Sequence, residues 1–344
     1  MIFWTGFCRR VVRVRLTNTP DGREKMTVHC LVIGVGKMGA AHLQAFAELA
    51  PDSATGWAPG SRPRAAERDV GGAVVRRDDL QTTLAAVKPT HVIIASPVET
   101  LAPISLQVMK AGVKNLLIEK PAALDQRECA LLLACAAETG AQVYVAYNRR
   151  FYSSVRGALD HMHAAGEAIE SIFFEFNEAM PIDGPGAASQ VKARWLLANS
   201  MHVIDTAFHP VGLPDIKRSN FRVDGALSWH PAGSVFVGSG VTTTGVPFAY
   251  HANWGAPGRW GFEWMTRSTR YVFRPMERLS VMRKGRFDLE PMVVDDAIDV
   301  RFKPGVYHQN RAFLAGDQAA GLVTLAEAAQ LVPLAQHIAD YPHE

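Results

Sequence analysis

A lysine at the end of an apolar run is the first residue in this sequence that could carry out chemistry. The segment LLIEKPAAL, residues 116–124, has an apolar run ended by a charge pair and a proline. This pattern is typical of a buried strand that stops abruptly, with Lys120 at its mouth. A solvated strand end would also explain a lysine there, so the surrounding sequence must decide between the two interpretations.

A second group of polar residues lies in the segment RWLLANSMHVIDTAFH, residues 194–209. Asn199, His202, Asp205 and His209 follow one another at spacings of three and four, which places them on one face of a helix. A single histidine on such a face is usually structural, whereas this group is a candidate catalytic set. We expect His202 to handle a proton, Asn199 to orient a substrate, and Asp205 to orient His202 or support packing. The histidine spacing lacks a further acidic cluster, so no metal site is expected.

A glycine-rich turn near the start of the chain predicts a dinucleotide site. The segment VIGVGKMGAAH follows an apolar run and opens a helical pattern. Gly34 would permit the tight turn, Gly36 the approach of a pyrophosphate, and Gly39 close packing of helix on strand. Lys37 and Met38 complete the turn, and the phosphates would lie on the helix N-terminus.

The residues after the next two strands indicate which cofactor is bound. NAD binding usually places an acidic residue about 20 positions after the glycines, but none stands near Ala58, where Ser61 and Arg62 follow instead. A hydroxyl and a guanidinium suit a 2′-phosphate, so the cofactor is expected to be NADP or NAD, with NADP favoured; the alternative is that the arginine begins a solvated helix. Ser96 and Pro97, after a later strand, would let the nicotinamide ribose pass close to the backbone.

Alternating strand and helix patterns predict the fold class. Up to residue 148 the apolar runs alternate with helical patterns, as in a parallel sheet covered by helices on both faces. The strands are predicted at 28–34, 72–75, 91–97, 115–121 and 142–147. Long strand-like runs between 221 and 302 predict an open, mostly antiparallel second sheet. We therefore expect an α/β protein with an N-terminal doubly wound (Rossmann) sheet and a C-terminal α/β domain.

The predicted boundaries are an extension at 1–25, a dinucleotide-binding domain at 26–148, and a substrate-binding and oligomerisation domain at 149–344, whose last helices return to the first domain. The extension has six basic and two acidic side chains. It is interpreted as a disordered arm or as the product of an upstream start codon.

Composition excludes several classes of protein. The 344 residues are 48% hydrophobic and 20% charged, which is typical of a globular protein. The net charge of +3 and the lack of a basic stripe argue against nucleic acid as a partner. No apolar run approaches the roughly 20 residues that cross a membrane. Four cysteines without a CxxC pair suggest neither zinc nor disulfides, so a cytoplasmic location is expected.

Taken together, the ordered motifs resemble the Gfo/Idh/MocA oxidoreductases over roughly residues 27–340. These motifs are GVGKMGAAH, SP after a strand, EKP, YNRRF (147–151) and HVID (202–205). The resemblance implies hydride transfer with NAD(P) at a hydroxyl carbon of a sugar, polyol or sugar-nucleotide. It also implies that Glu119 and Lys120 lie at the cofactor, that Lys120 and His202 handle the hydroxyl proton, and that the C-terminal sheet forms a homodimer or homotetramer.

Two positions depart from the family pattern. Many members carry an aspartate four residues before the histidine, where this chain has Ala198, and a histidine where it has Leu101. The leading hypothesis remains a dehydrogenase or reductase for a sugar-like alcohol or ketone. A non-catalytic dinucleotide-binding sensor or assembly protein, and an imine or biliverdin-type reductase, are the alternatives.

The cofactor preference is testable by titrating the protein separately with NADH and NADPH and following cofactor fluorescence. If Arg62 meets a 2′-phosphate, Arg62→Ala should weaken NADPH binding by about 1–3 kcal/mol, the worth of a charge-assisted contact. NADH binding serves as the internal control and should not change. Equal or tighter binding of NADH by the unmodified protein would contradict the NADP preference.

Overall fold

The computed structural model describes residues 28–51, 53–59, 74–178, 181 and 184–342. The predicted extension at 1–25 and the candidate residues Ser61 and Arg62 lie outside the described residues. No helix within the described ranges is long and apolar enough to cross a membrane. The α/β fold class is confirmed, because the chain forms one largely parallel and one largely antiparallel sheet, with helices packed on both.

The first sheet has seven strands in the order β15-β6-β5-β4-β1-β2-β3. All its pairings are parallel except that of β15, which runs antiparallel to β6. The central strands are buried on both faces, which explains their continuous apolar runs. The strands are β1 (Cys30–Ile33), β2 (Ala54–Trp57), β3 (Val74–Arg76), β4 (His91–Ile94), β5 (Asn115–Glu119), β6 (Gln142–Ala146) and β15 (Val323–Thr324).

The helices of this half begin and end where the side chains predict. They are α1 (Lys37–Leu49), α2 (Leu80–Val87), α3 (Val98–Lys110) and α4 (Gln126–Thr139). The side chains of Asp79 and Asp125 cap α2 and α4 by accepting backbone N–H groups, and Gly140 ends α4 in the left-handed conformation.

The second sheet has eight strands in the order β14-β13-β12-β11-β7-β10-β9-β8. It is mostly antiparallel, as predicted, except that β7 pairs parallel with β10. Inward and outward side chains alternate, so Ile172, Phe174 and Phe176 of β7 enter the core. The strands are β7 (Ser171–Phe176), β8 (Pro214–Asp224), β9 (Val235–Thr242), β10 (Pro247–Asn253), β11 (Trp260–Met265), β12 (Thr269–Phe273), β13 (Ser280–Arg283) and β14 (Glu290–Pro291).

The remaining helices connect the two sheets. They are α5 (Ser153–Ala165), α6 (Ser189–Lys192), α7 (Met201–Phe208), α8 (Ala297–Arg301), α9 (Val306–Ala315) and α10 (Leu325–Ala339). The capping box of Thr324 and Glu327 that starts α10 is present. The closing segment returns to the first sheet through β15, and α9 meets α1 through a hydrogen bond between Asn310 and His42. The exact domain boundary near residue 148 stays a prediction.

A buried ion pair fixes the junction between the two sheets. A short 3₁₀ helix, Asn148–Phe151, follows β6, and from it Arg150 donates to both carboxylate oxygens of Asp205 on α7, at 2.8 and 2.5 Å. Asp205 is fully buried, and its carboxylate faces Arg150. The expectation that Asp205 orients His202 is therefore not supported by this geometry; the alternative expectation, support of packing, fits it.

Removing one partner of a buried pair leaves the other charge without compensation. Asp205→Ala should therefore lower the free energy of unfolding by about 3–5 kcal/mol, measured by urea denaturation. Asp224→Ala is the control, because Asp224 pairs with Arg222 on the exposed surface and should matter far less. Equal effects of the two substitutions would contradict this role of Asp205.

Candidate active site

The glycine turn between β1 and α1 has the conformation that the motif predicts. Gly34 has φ of +91°, and a Cβ atom there would lie 2.6 Å from the carbonyl oxygen of Ala95. At Gly39 a Cβ atom would lie 1.7 Å from the carbonyl oxygen of Gly34. Both positions therefore require glycine, the first for its backbone conformation and both for close packing.

Gly36 differs from its two neighbours, because a Cβ atom there would meet nothing within 4 Å. It is the N-cap residue of α1, no side chain caps this helix, and its first turn holds no acidic residue. The first N–H groups of α1 thus point to open space with the positive end of the helix dipole behind them. These residues fit a dinucleotide pyrophosphate, with exposed Lys37 and half-buried Met38 beside it.

The other predicted cofactor residues lie at neighbouring strand ends. Strands β1, β4 and β5 are adjacent and parallel, so their carboxyl ends form one edge of the sheet. Ser96 and Pro97 follow β4, and the hydroxyl of Thr100 donates to Ser96 at 2.8 Å. Ligands bind at this edge in open α/β sheets. The structure therefore brings the glycine turn, Ser96, Pro97 and Lys120 to the same edge.

Lys120 follows β5 directly, in a cis peptide bond to Pro121. Its ammonium reaches across to the second half of the chain and donates to the backbone carbonyl of Ala198 at 2.5 Å. Burial, and then the nearby guanidinium of Arg149, lower the pKa of Lys120 to about 8, against the opposing effect of Glu119 and Glu178. A lysine with this pKa can give or take a proton near neutral pH.

Glu119, predicted at the cofactor, points into the protein instead. Its carboxylate lies 3.1 Å from Nε2 of His42 on α1, and Nδ1 of His42 lies 2.8 Å from the side-chain oxygen of Asn310 on α9. All three residues are buried. This placement argues that Glu119 supports the strand end and helix α1 rather than contacting the cofactor.

His202 lies in an aromatic pocket near Lys120. Its ring meets Tyr147 edge-on at 5.7 Å between centroids and Trp260 at 6.4 Å. Nδ1 has no hydrogen-bond partner among the described residues. Burial and then the charges of Arg149, Lys120 and Lys303 hold its pKa well below the usual range, so the imidazole is neutral.

Asn199 lies in a π-helical turn, Leu196–Ser200, that precedes α7. Such turns are rare and are frequent at functional sites. Its amide nitrogen lies 3.1 and 3.0 Å from the two oxygens of Glu178, and the hydroxyl of Ser200 donates to the same carboxylate at 2.6 Å. The side-chain N–H groups of Asn199 thus donate to Glu178, and the expected role of Asn199 in orienting a substrate stays a prediction.

Glu178 and Arg149 are the site residues that the motif analysis did not select. The guanidinium of Arg149 stacks over Trp260 at 4.7 Å, and its Nε is buried without a partner in the described structure. Glu178 follows β7 and is 4% exposed. The sequence signal for Glu178 is an acidic residue at the end of the strand-like run AIESIFFEFNE (168–178), which is too common a pattern to single it out.

Family comparison agrees with the glycine turn and the strand edge. Residues 28–147, the segment that carries both, match the oxidoreductase family with an NAD-binding Rossmann fold, GFO_IDH_MocA. This range contains Gly34, Ser96 and Lys120, whereas Glu178 and His202 lie beyond it.

Curated relatives give a second comparison. Inositol 2-dehydrogenase from Rhizobium meliloti is 29% identical over 161 residues, which are 46% of this chain and 48% of that protein. Inositol 2-dehydrogenase 1 from Saccharopolyspora erythraea is 28% identical over 191 residues, 51% of this chain and 56% of that protein. The alignments therefore span about half the length of these relatives.

Solved structures extend the similarity of fold to most of the chain. UDP-N-acetylglucosamine 3-dehydrogenase from Acidithiobacillus ferrooxidans has a TM-score of 0.69 at 15% identity and covers 92% of this chain and 98% of its own. Levoglucosan dehydrogenase, in complex with NADH and levoglucosan, has a TM-score of 0.72 at 18% identity, with coverage of 91% and 96%. The match to the GFO_IDH_MocA family model covers residues 28–147, and the solved structures extend the similarity of fold beyond that range.

Proposed function

We propose that this protein is an NAD(P)-dependent dehydrogenase or reductase that acts on a hydroxyl-bearing carbon, or the corresponding ketone, of a sugar, polyol or sugar-nucleotide. The observation that carries the proposal is the half-buried Lys120, with its pKa near 8, on the sheet edge that holds the glycine turn. The names of the similar proteins, which are dehydrogenases of inositol, levoglucosan and UDP-N-acetylglucosamine, support a sugar-like substrate.

The nicotinamide cofactor, when bound, accepts or supplies the hydride. Gly34, Gly36 and Gly39, with the N-terminus of α1, would hold its pyrophosphate, and Ser96 and Pro97 would lie along its ribose. The preference for NADP over NAD remains part of the proposal, with Ser61 and Arg62 as the expected readers of the 2′-phosphate.

Lys120 exchanges the hydroxyl proton. In alcohol oxidation its neutral amine takes the proton from the substrate hydroxyl as the carbonyl forms, and in reduction its ammonium returns the proton to the carbonyl oxygen. His202 stays neutral because of its buried surroundings, so it acts as a hydrogen-bond partner for the same oxygen rather than as the group that changes charge.

The pH dependence follows from these roles. Oxidation needs the neutral amine and should therefore rise with pH to a plateau above about 8, whereas reduction should fall as pH rises through the same value. Initial rates measured in both directions with a sugar-like alcohol and its ketone, at saturating cofactor, test this. A pH-independent rate across this range would contradict Lys120 as the proton-exchanging group.

Substitution tests the same role directly. Lys120→Met should reduce kcat by about 10²–10⁴-fold, the usual contribution of general acid–base catalysis. Lys114→Met is the matched control, because Lys114 is an exposed lysine that precedes the same strand β5 at its opposite end. A Lys120→Met protein as active as the control would sink the proposed mechanism.

A second candidate is a dinucleotide-binding sensor or assembly protein without catalysis. The observation that favours it is Ala198, which stands at the position where many family members carry an aspartate. The backbone carbonyl of Ala198 accepts a hydrogen bond from the Lys120 ammonium. Cofactor binding without turnover of any sugar-like alcohol or ketone would favour this candidate over the first.

We also infer that the chain forms a homodimer or homotetramer through the open face of the second sheet. On β9 and β10, Val237, Ser239, Ala249 and His251 are exposed and stand opposite one another in register. Light scattering on the purified protein measures the mass, and a monomer at every concentration would contradict this inference.

A further inference from the structure

Glu178 is a buried carboxylate with an unusually complete set of donors. It lies just past the end of β7 and is 4% exposed. The amide of Asn199 contacts both of its oxygens, the hydroxyl of Ser200 donates to Oε1, and the indole of Trp260 donates as well. All three donors are neutral, so they stabilise the carboxylate without cancelling its charge.

This arrangement leaves little of the carboxylate for a substrate. An ionised carboxylate offers about four lone-pair positions, and here the donors from three side chains already share them. Glu178 can therefore affect the reaction mainly through its negative charge. The group that this charge acts on must be another charged residue of the site.

Lys120 donates to the carbonyl of Ala198, and the next two residues, Asn199 and Ser200, hold Glu178, so one turn of the chain links the lysine to the carboxylate. The charged groups around Lys120 are Glu119 at the end of its own strand, Arg149 on the 3₁₀ helix after β6 and Glu178 after β7, and the neutral His202 lies on α7. Glu119 is hydrogen-bonded to His42, on the side of the first sheet. Glu178 is thus the carboxylate that lies beyond the second sheet's strand β7 and balances two half-buried cations, Lys120 and Arg149.

We propose that Glu178 is a positioning residue that acts through Lys120, with Asn199, Ser200 and Trp260 holding its negative charge where it favours the protonated lysine. This inference rests on the proposed function, in which Lys120 exchanges the substrate proton. Without Glu178, Lys120 would face Arg149 with Glu119 as its main counter-charge and would lose its proton at lower pH. The reductive direction, which needs the ammonium, would then be confined to more acidic solution.

The test measures the titration of Lys120 itself. Protein labelled with ¹³Cε-lysine is titrated by NMR, and the Lys120 resonance is assigned by its absence in Lys120→Arg. In Glu178→Gln the midpoint should move down from about 8 by up to about one pH unit, as expected for loss of a nearby opposite charge. An unchanged midpoint would overturn the proposal.

Two variants separate charge from packing. Glu175→Gln is the matched control, because Glu175 lies three residues earlier, on β7 itself, and pairs with Arg274 at 3.0 Å. The Lys120 midpoint in this variant should equal that of the unmodified protein. Glu178→Asp keeps the charge and should recover most of the shift. A midpoint in Glu178→Asp as low as in Glu178→Gln would show that side-chain shape, not charge, matters, and would overturn the proposal.

Ser200→Ala provides a second route if Glu178→Gln does not fold. Loss of this donor disfavours the ionised carboxylate and raises the pKa of Glu178. The acidic inflection that Glu178 causes in the Lys120 resonance should therefore move to higher pH than in the unmodified protein. If the acidic inflection of the Lys120 resonance fell at the same pH in Ser200→Ala and in the unmodified protein, the proposal would be overturned.

The NMR result does not depend on turnover, so it distinguishes failure of this inference from failure of the proposed function. Where turnover is found, the pH limb of kcat in Glu178→Gln should move down by the same amount as the Lys120 midpoint. If the pH dependence of kcat is unchanged in Glu178→Gln while the Lys120 titration midpoint moves, the proposed effect of Glu178 on the reaction is overturned. If the protein shows no turnover but the Lys120 midpoint still moves in Glu178→Gln, the effect of Glu178 on Lys120 is supported and the proposed dehydrogenase activity is rejected.

Discussion

The cost of burying positive charge where the two sheets meet is the constraint on which this site depends. Burial lowers the pKa of Lys120, and the nearby guanidinium of Arg149 lowers it further. Glu119 on one side and Glu178 on the other oppose this effect, and each is hydrogen-bonded to neighbouring side chains. Trp260 interacts with a cation and with an anion, because its ring face contacts the guanidinium of Arg149 and its indole N–H donates to the carboxylate of Glu178. The acidity of one lysine is therefore set jointly by both halves of the chain.

Long-range polar contacts keep these halves in register. The chain of His42, Glu119 and Asn310 joins α1, β5 and α9, which are far apart in sequence. Arg150 and Asp205 do the same for the segment after β6 and helix α7. The Glu119 contact lies directly before Lys120, so long-range packing as well as the local turn holds the position of this lysine.

The sequence predicted the parts of this arrangement that depend on local rules. The glycine turn, the strand end at Glu119 and the alternation of the first half follow from short-range chemistry, and the structure bears them out. The sequence could not predict the pairs Asp205–Arg150, Glu119–His42 and Asn199–Glu178. Each pair joins residues that only tertiary packing brings together. The π turn was also missed, since a spacing of three and four assumes a regular α-helix.

The π turn at Leu196–Ser200 gives the site a way to change without repacking its core. A π turn absorbs one residue more than an α-helical turn through its i→i+5 hydrogen bonds, so the change is confined to the turn. Loss of a single residue here would restore a regular helix and exchange which backbone carbonyl and which side chain face Lys120 and Glu178. Helix α7, buried along its whole length, would keep its neighbours. Chain length in this one turn, as much as side-chain identity, thus determines which polar groups face Lys120 and Glu178.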